Sequence, residues 1–120
     1  MGKIKTTKIT KDSLIGEILS GRPELADKLA DYGVLICGTG IGMSIAANKV
    51  LGIRAAAIQS EFAAIATKAH NNANVLCVGS RTNTLEEVLH FVDLFFQTEF
   101  ENGPRHHRRI EMITNYEEKK

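Results

Sequence analysis

Three short apolar runs, residues 34–37, 53–58 and 75–78, punctuate the middle of the chain, each closed by glycine or a polar turn. None alternates between apolar and polar positions, the pattern of strands covered on both faces. Helical patterns separate them, over residues 43–51, 61–70 and 84–100. In the last, Leu85, Val88, Leu89, Val92 and Phe96 recur at helical spacing. Thr84 suits the N-cap, with Glu86 and Glu87 favourably placed in the first turn. Asn102-Gly103-Pro104 then breaks the chain, and residues 105–116 read as a final helix. Strand and helix alternating through short links predict a parallel sheet with right-handed crossovers.

The first thirty residues follow another rule. Thr10-Lys11-Asp12-Ser13 opens a helical pattern with Leu14, Ile15, Ile18 and Leu19, closed by Ser20-Gly21. Pro23 suits the start of a second helix through Ala30. The chain therefore divides into an N-terminal helical segment, residues 1–31, and an α/β domain, residues 32–120.

Composition narrows the function classes. At 120 residues the chain has room for one domain with its own core. The net charge of +1 gives no global pull toward nucleic acid or membrane. The basic cluster at 105–109 has no flanking aromatics or nucleic-acid motif, so a nucleic-acid partner is not expected. No apolar run approaches bilayer length, and the N-terminus lacks the apolar core of a secretory signal. Met1-Gly2 with Thr6 fits the acylation pattern only loosely. Cys37 and Cys77 make neither a disulfide framework nor a C-x-x-C pair, so a cytoplasmic, reducing location is expected.

The densest local signal is I-C-G-T-G-I-G-M-S-I-A-A-N-K, residues 36–49. A buried strand runs into Cys37, glycines at 38, 40 and 42 follow, and a helix starts at once. Main-chain N–H groups thus gather where open α/β sheets collect ligands, a natural anion or oxyanion site. The same pattern also fits a tight strand–helix turn with a structural cysteine. The spacing is neither the dinucleotide nor the NTPase phosphate motif, so no nucleotide cofactor is expected. A thiol facing helix amides tends toward thiolate, whereas Cys77, inside V-L-C-V-G, reads as inert core.

Three further positions stay open on residues alone. His70 at a helix C-terminus serves either catalysis or the helix dipole. Arg105 and Arg109, four apart, share a helical face that could grip one phosphate or simply face water. Arg81 could do no more than cap a strand end. His106 and His107 point in different directions on a helix, and sequence spacing reveals no metal-ligand set.

Tyr32 to Lys49, together with G-I-R-A-A-A, A-H-N-N-A-N-V-L, G-S-R, T-E-F-E-N-G and R-H-H-R-R-I-E-M-I in order, resembles the type B ribose-5-phosphate isomerase family, which includes galactose-6-phosphate isomerase subunits. The resemblance implies a Rossmann-like three-layer sandwich. Its sheet would be reduced, because the family's opening strand and its Asp-His loop have no counterpart in residues 1–31. That segment is instead similar to the helical opening of the hybrid-cluster-associated disulfide domain, without its paired cysteines.

By the same resemblance, Cys37 would shuttle the proton between C1 and C2 of an open-chain sugar, with Thr39 beside it. Gly38, Thr39, Gly40, Ile41 and Gly42 would stabilise the enediolate oxygen and contact the substrate, Thr39 as a catalytic residue. His70 would open the furanose ring, with Asn71 as a substrate contact. Arg81, Arg105 and Arg109 would bind the substrate, mainly its phosphate, some across a homodimer interface. The implied activity is interconversion of ribose 5-phosphate and ribulose 5-phosphate with no cofactor and no metal. The rivals are a hexose 6-phosphate isomerase of the allose or galactose type, and a catalytically silent sugar-phosphate binder.

Overall fold

The computed structural model describes residues 31–119, so the N-terminal helical expectations lie outside the described residues. Strand β1 (Gly33–Cys37) leads through the glycine loop into helix α1 (Ile41–Ala47). Strand β2 (Ala55–Ala57), helix α2 (Glu61–Ala69) and strand β3 (Val75–Gly79) follow, then helices α3 (Leu85–Gln97) and α4 (Pro104–Glu118). The three-stranded sheet has the order β1-β3-β2 and is parallel throughout. Gly33 pairs with Val75 and Cys37 with Gly79, while Ala55 also pairs with Val75.

The twofold alternation of strand side chains divides the core. Leu35, Val75 and Cys77 point to one face, where Met43 and Ala47 of α1 meet Val50 and Ile53. Leu76 and Val78 point to the other, against Ala64 of α2 and Val88, Phe91 and Phe95 of α3. Helices thus cover both faces, giving the α/β sandwich expected from the alternation. Every residue of β3 is buried, as a central strand's continuous apolar run requires.

Three expectations change. The run 53–58 yields only the short β2, because Ile53 closes a turn onto the Val50 carbonyl. Asn48 stops α1 early: its side-chain amide donates to the Ala55 carbonyl at 2.9 Å and accepts from the Ala55 N–H at 2.8 Å, bordering β2. The third departure concerns cover. Val88, Phe91 and Phe95 are the buried stripe of α3, whereas Leu85 and Leu89 are exposed. Ile36, on β1 at the sheet's outer edge, is 51% exposed. Among the described residues, then, β1 is not covered on both faces.

Lys68 joins the second face together. It is 4% exposed, and its Nζ donates to the Phe95 carbonyl at 3.2 Å. The ammonium lies 3.9 Å from the Tyr32 ring centroid and 4.3 Å from that of Phe95. Burial pulls its pKa below the ordinary lysine value, and the aromatic faces offset part of that desolvation. Among the described residues, no helix is long and apolar enough to cross a membrane.

Candidate functional site

The glycine loop is built against the end of β3. Gly40, at the N-cap of α1, has φ of +81°, and a Cβ there would lie 3.1 Å from backbone atoms of Cys77 and Val78. Only glycine satisfies both conditions. Gly79 closes the contact from the other side, since its Cβ would fall 2.7 Å from the Thr39 Cα and 2.8 Å from the Gly38 carbonyl oxygen. Two main-chain bonds fasten the layers: Ser80 N–H to the Cys37 carbonyl at 2.8 Å, and Arg81 N–H to the Gly38 carbonyl at 2.9 Å. Gly79 was not singled out as a site residue from the sequence; its place in G-S-R is the signal that could have found it. At Gly42, by contrast, a Cβ would meet nothing within 4 Å, so the loop surface is open there.

This geometry holds Cys37 at the end of β1 with its Sγ accepting the Gly40 N–H at 3.1 Å. A main-chain donor thus points at the sulfur, and a thiol held in this way at a strand end is a candidate base. Thr39 Oγ1 accepts the Ile41 N–H at 3.2 Å and orders the rest of the turn. Arg81 lies across the loop, its Cδ 3.4 Å from where a Gly38 Cβ would be. Cys77 is different. It is fully buried, and burial first, the neighbouring Cys37 second, pushes its thiol up to about 12. It is core, as its apolar flanks indicate.

The remaining site residues stand elsewhere. Parallel strands run from their N-terminal ends at Gly33 and Val75 to Cys37 and Gly79, and each helix returns the chain to the start of the next strand. His70, the C-cap of α2, therefore lies at the sheet end opposite Cys37. Asn71 follows it there. The Glu101 N–H donates to the Ala69 carbonyl at 3.0 Å, bringing the start of α4, with Arg105 and Arg109, to that same end. The five residues of β1 alone cover roughly 13 Å at ordinary strand rise. Two groups result: Cys37, Thr39, the loop and Arg81 at one end; His70, Asn71, Arg105 and Arg109 at the other. One chain does not bring them together.

The second group includes residues that sequence spacing did not connect. The rings of His70 and His106 stack at 4.5 Å between centroids with an interplanar angle of 8°. Their Nε2 atoms lie 3.7 and 3.9 Å from the Glu101 carboxylate. These three residues could hold a metal ion, the ligand atoms all lying within 4.8 Å of one another. His107 instead faces Glu111, one turn along, at 3.6 Å, so the two adjacent histidines do diverge as a helix demands. Beyond this end, a groove of about 760 Å³ runs between α1, β2 and α4, with Asn71, Arg54 and Tyr116 among its lining. It does not include Cys37.

Comparison with known proteins adds ancestry to this geometry. The profile of the Ribose/Galactose Isomerase family matches residues 22–113, beginning ten residues before Tyr32. The chain is 52% identical over 87 residues to the probable ribose-5-phosphate isomerase B of Mycoplasma genitalium, covering 72% of this chain and 57% of that protein. It is 46% identical over 90 residues to ribose-5-phosphate isomerase B of Escherichia coli, covering 75% and 60%. The chain thus spans less than two-thirds of these curated relatives. Among solved structures, the Mycoplasma genitalium enzyme with bound ribulose 5-phosphate superposes with a TM-score of 0.78 at 40% identity, covering 97% of this chain and 76% of that one.

Proposed function

The chain belongs to the ribose/galactose isomerase family, and from that premise we propose that it interconverts ribose 5-phosphate and ribulose 5-phosphate at a site shared by two copies. The observation that carries the reading is the Cys37 thiol held at 3.1 Å by the Gly40 N–H, at the mouth of a loop shaped by Gly40 and Gly79. The bound ribulose 5-phosphate in the Mycoplasma genitalium relative supports the substrate class.

In the aldose-to-ketose direction, the Cys37 thiolate takes the proton from C2 of the open-chain sugar. The electron pair forms the C1–C2 double bond and the C1 carbonyl oxygen becomes the enediolate oxygen, stabilised by main-chain donors of the loop from Gly38 through Gly42. The O2 proton passes to O1, the thiol returns its proton to C1, and a ketone is left at C2. Ring opening needs an acid at the ring oxygen. His70 supplies it, but from a second copy, because His70 and Cys37 of one chain stand at opposite sheet ends. Asn71, Arg105 and Arg109 arrive with it as sugar and phosphate contacts, while Arg81 stays beside the loop of its own chain. A homodimer is therefore part of the mechanism. A thiol base suits the reducing cytoplasm, where we place the activity.

A coupled assay with ribose 5-phosphate tests the reading. Wild type should turn over readily, and Cys37→Ala should lose about a hundredfold or more in kcat, as removal of a general base does. Equal activity in both would remove Cys37 from the chemistry. Thermal stabilisation by ribose 5-phosphate without turnover would leave a silent binder instead.

A further inference from the structure

We propose that His70, Glu101 and His106 form a binding site for one divalent transition-metal ion of the zinc class. Two distant parts of the chain converge on it: the C-cap of α2, and the segment that runs from Glu101 into the first turn of α4. The convergence is fixed by main chain. The Glu101 N–H is fastened to the Ala69 carbonyl at 3.0 Å, and Pro104 starts α4 directly after Gly103. The His106 side chain is only 13% exposed, so one ligand is already ordered before any ion arrives.

The donor chemistry selects the ion. Two imidazole nitrogens and one carboxylate suit zinc and its borderline neighbours, whereas magnesium and calcium take oxygen sets. The His70 Nε2 lies 3.7 Å from one Glu101 oxygen and the His106 Nε2 3.9 Å from the other, so an ion needs only to draw them in to the roughly 3.3 Å ligand separations of a tetrahedral site. With three protein ligands the fourth position is open. Two parallel ring planes cannot both contain one ion, so occupation must tilt the stacked rings apart. His70, with 40% of its side chain exposed, has the room to turn.

The consequence for turnover rests on the reading above: an ion on the His70 Nε2 removes the nitrogen that would protonate the sugar ring oxygen. Metal and substrate then compete for one histidine.

Cobalt titration into the chelator-stripped, full-length chain reads the site directly, whether or not the chain isomerises sugar phosphates. One ion per chain is expected, with visible d–d absorption and no sulfur-to-cobalt charge-transfer band. His106→Ala and Glu101→Gln should each weaken binding by about tenfold or more, with circular dichroism confirming an intact fold. His107→Ala should leave binding unchanged. Binding that survives His106→Ala, or that disappears with His107→Ala or Cys37→Ala, overturns the site. Zinc should also suppress isomerisation in step with occupancy and EDTA should restore it. Occupancy with undiminished turnover would uphold the ion site and overturn the role given to His70.

Discussion

At the scale of single residues, the glycines of the Cys37 loop are not equivalent, and substitutions should separate them. Gly40→Ala forces an L side chain into positive φ and against the β3 backbone. The conformation alone costs roughly 1–2 kcal/mol, so a lower melting temperature is expected. Because the Gly40 N–H holds the Cys37 sulfur, turnover should fall as well, on the order of a hundredfold for a displacement near 1 Å. Gly42→Ala meets open space. Its melting temperature should stay near wild type while KM for ribose 5-phosphate rises, and an unchanged KM would place Gly42 away from the substrate. Why some of this was legible follows from the same residues. Cys37 stands out because strand, glycines and helix are contiguous in sequence. The partners of His70 do not, because Glu101 and His106 reach it only through the fold. Lys68 was equally hidden, since a lysine at its position in α2 reads as a solvated helix side chain until the rings around it are seen.

Among the elements, α3 carries its own start signal. Thr84 Oγ1 accepts the Glu87 N–H at 3.1 Å, and the Glu87 carboxylate accepts the Thr84 N–H at 2.8 Å. The N-cap at Thr84 and the acidic first turn are legible in the sequence, while the return bond that makes the box reciprocal is the structure's addition. Thr84→Ala should lower stability by about 1 kcal/mol in a urea melt. The Glu87 carboxyl is held below its ordinary 4.5, first by the hydrogen bond from the Thr84 backbone. On acidification the unfolded chain therefore takes up this proton before the folded one does. The box's contribution is present above about pH 4.5 and fades as pH falls through the lower folded value. Glu87→Gln should flatten that limb of a stability-against-pH curve, and a parallel curve would refute the box. The helix's far end was less legible, because Thr98 turns its hydroxyl back onto the Leu94 carbonyl at 2.6 Å and ends the helical pattern early. Leu85 and Leu89 look like core by spacing alone. Which stripe is buried depends on where α2 lies, and periodicity does not say.

For the molecule as a whole, alternation of strand and helix already implies that a residue closing a helix lies opposite one closing a strand. The separation of His70 from Cys37 was thus contained in the element order, although the motifs suggest a single cluster. The proposed sharing of one site by two copies makes a quantitative expectation. Mixing inactive Cys37→Ala and His70→Ala chains, with subunit exchange, should regenerate about a quarter of the wild-type sites, because half of the dimers are mixed and each carries one intact site. No recovery would return the chemistry to one chain. The cage around Lys68 has a consequence for observation. The chain has no tryptophan and two tyrosines; Tyr116 is 67% exposed, while Tyr32 packs on Phe95 and Phe96 with an ammonium over its ring. Unfolding therefore changes the surroundings of Tyr32 far more than those of Tyr116. Near-ultraviolet tyrosine signals become a native gauge of whether the second and third helices still grip the strand that carries the thiol.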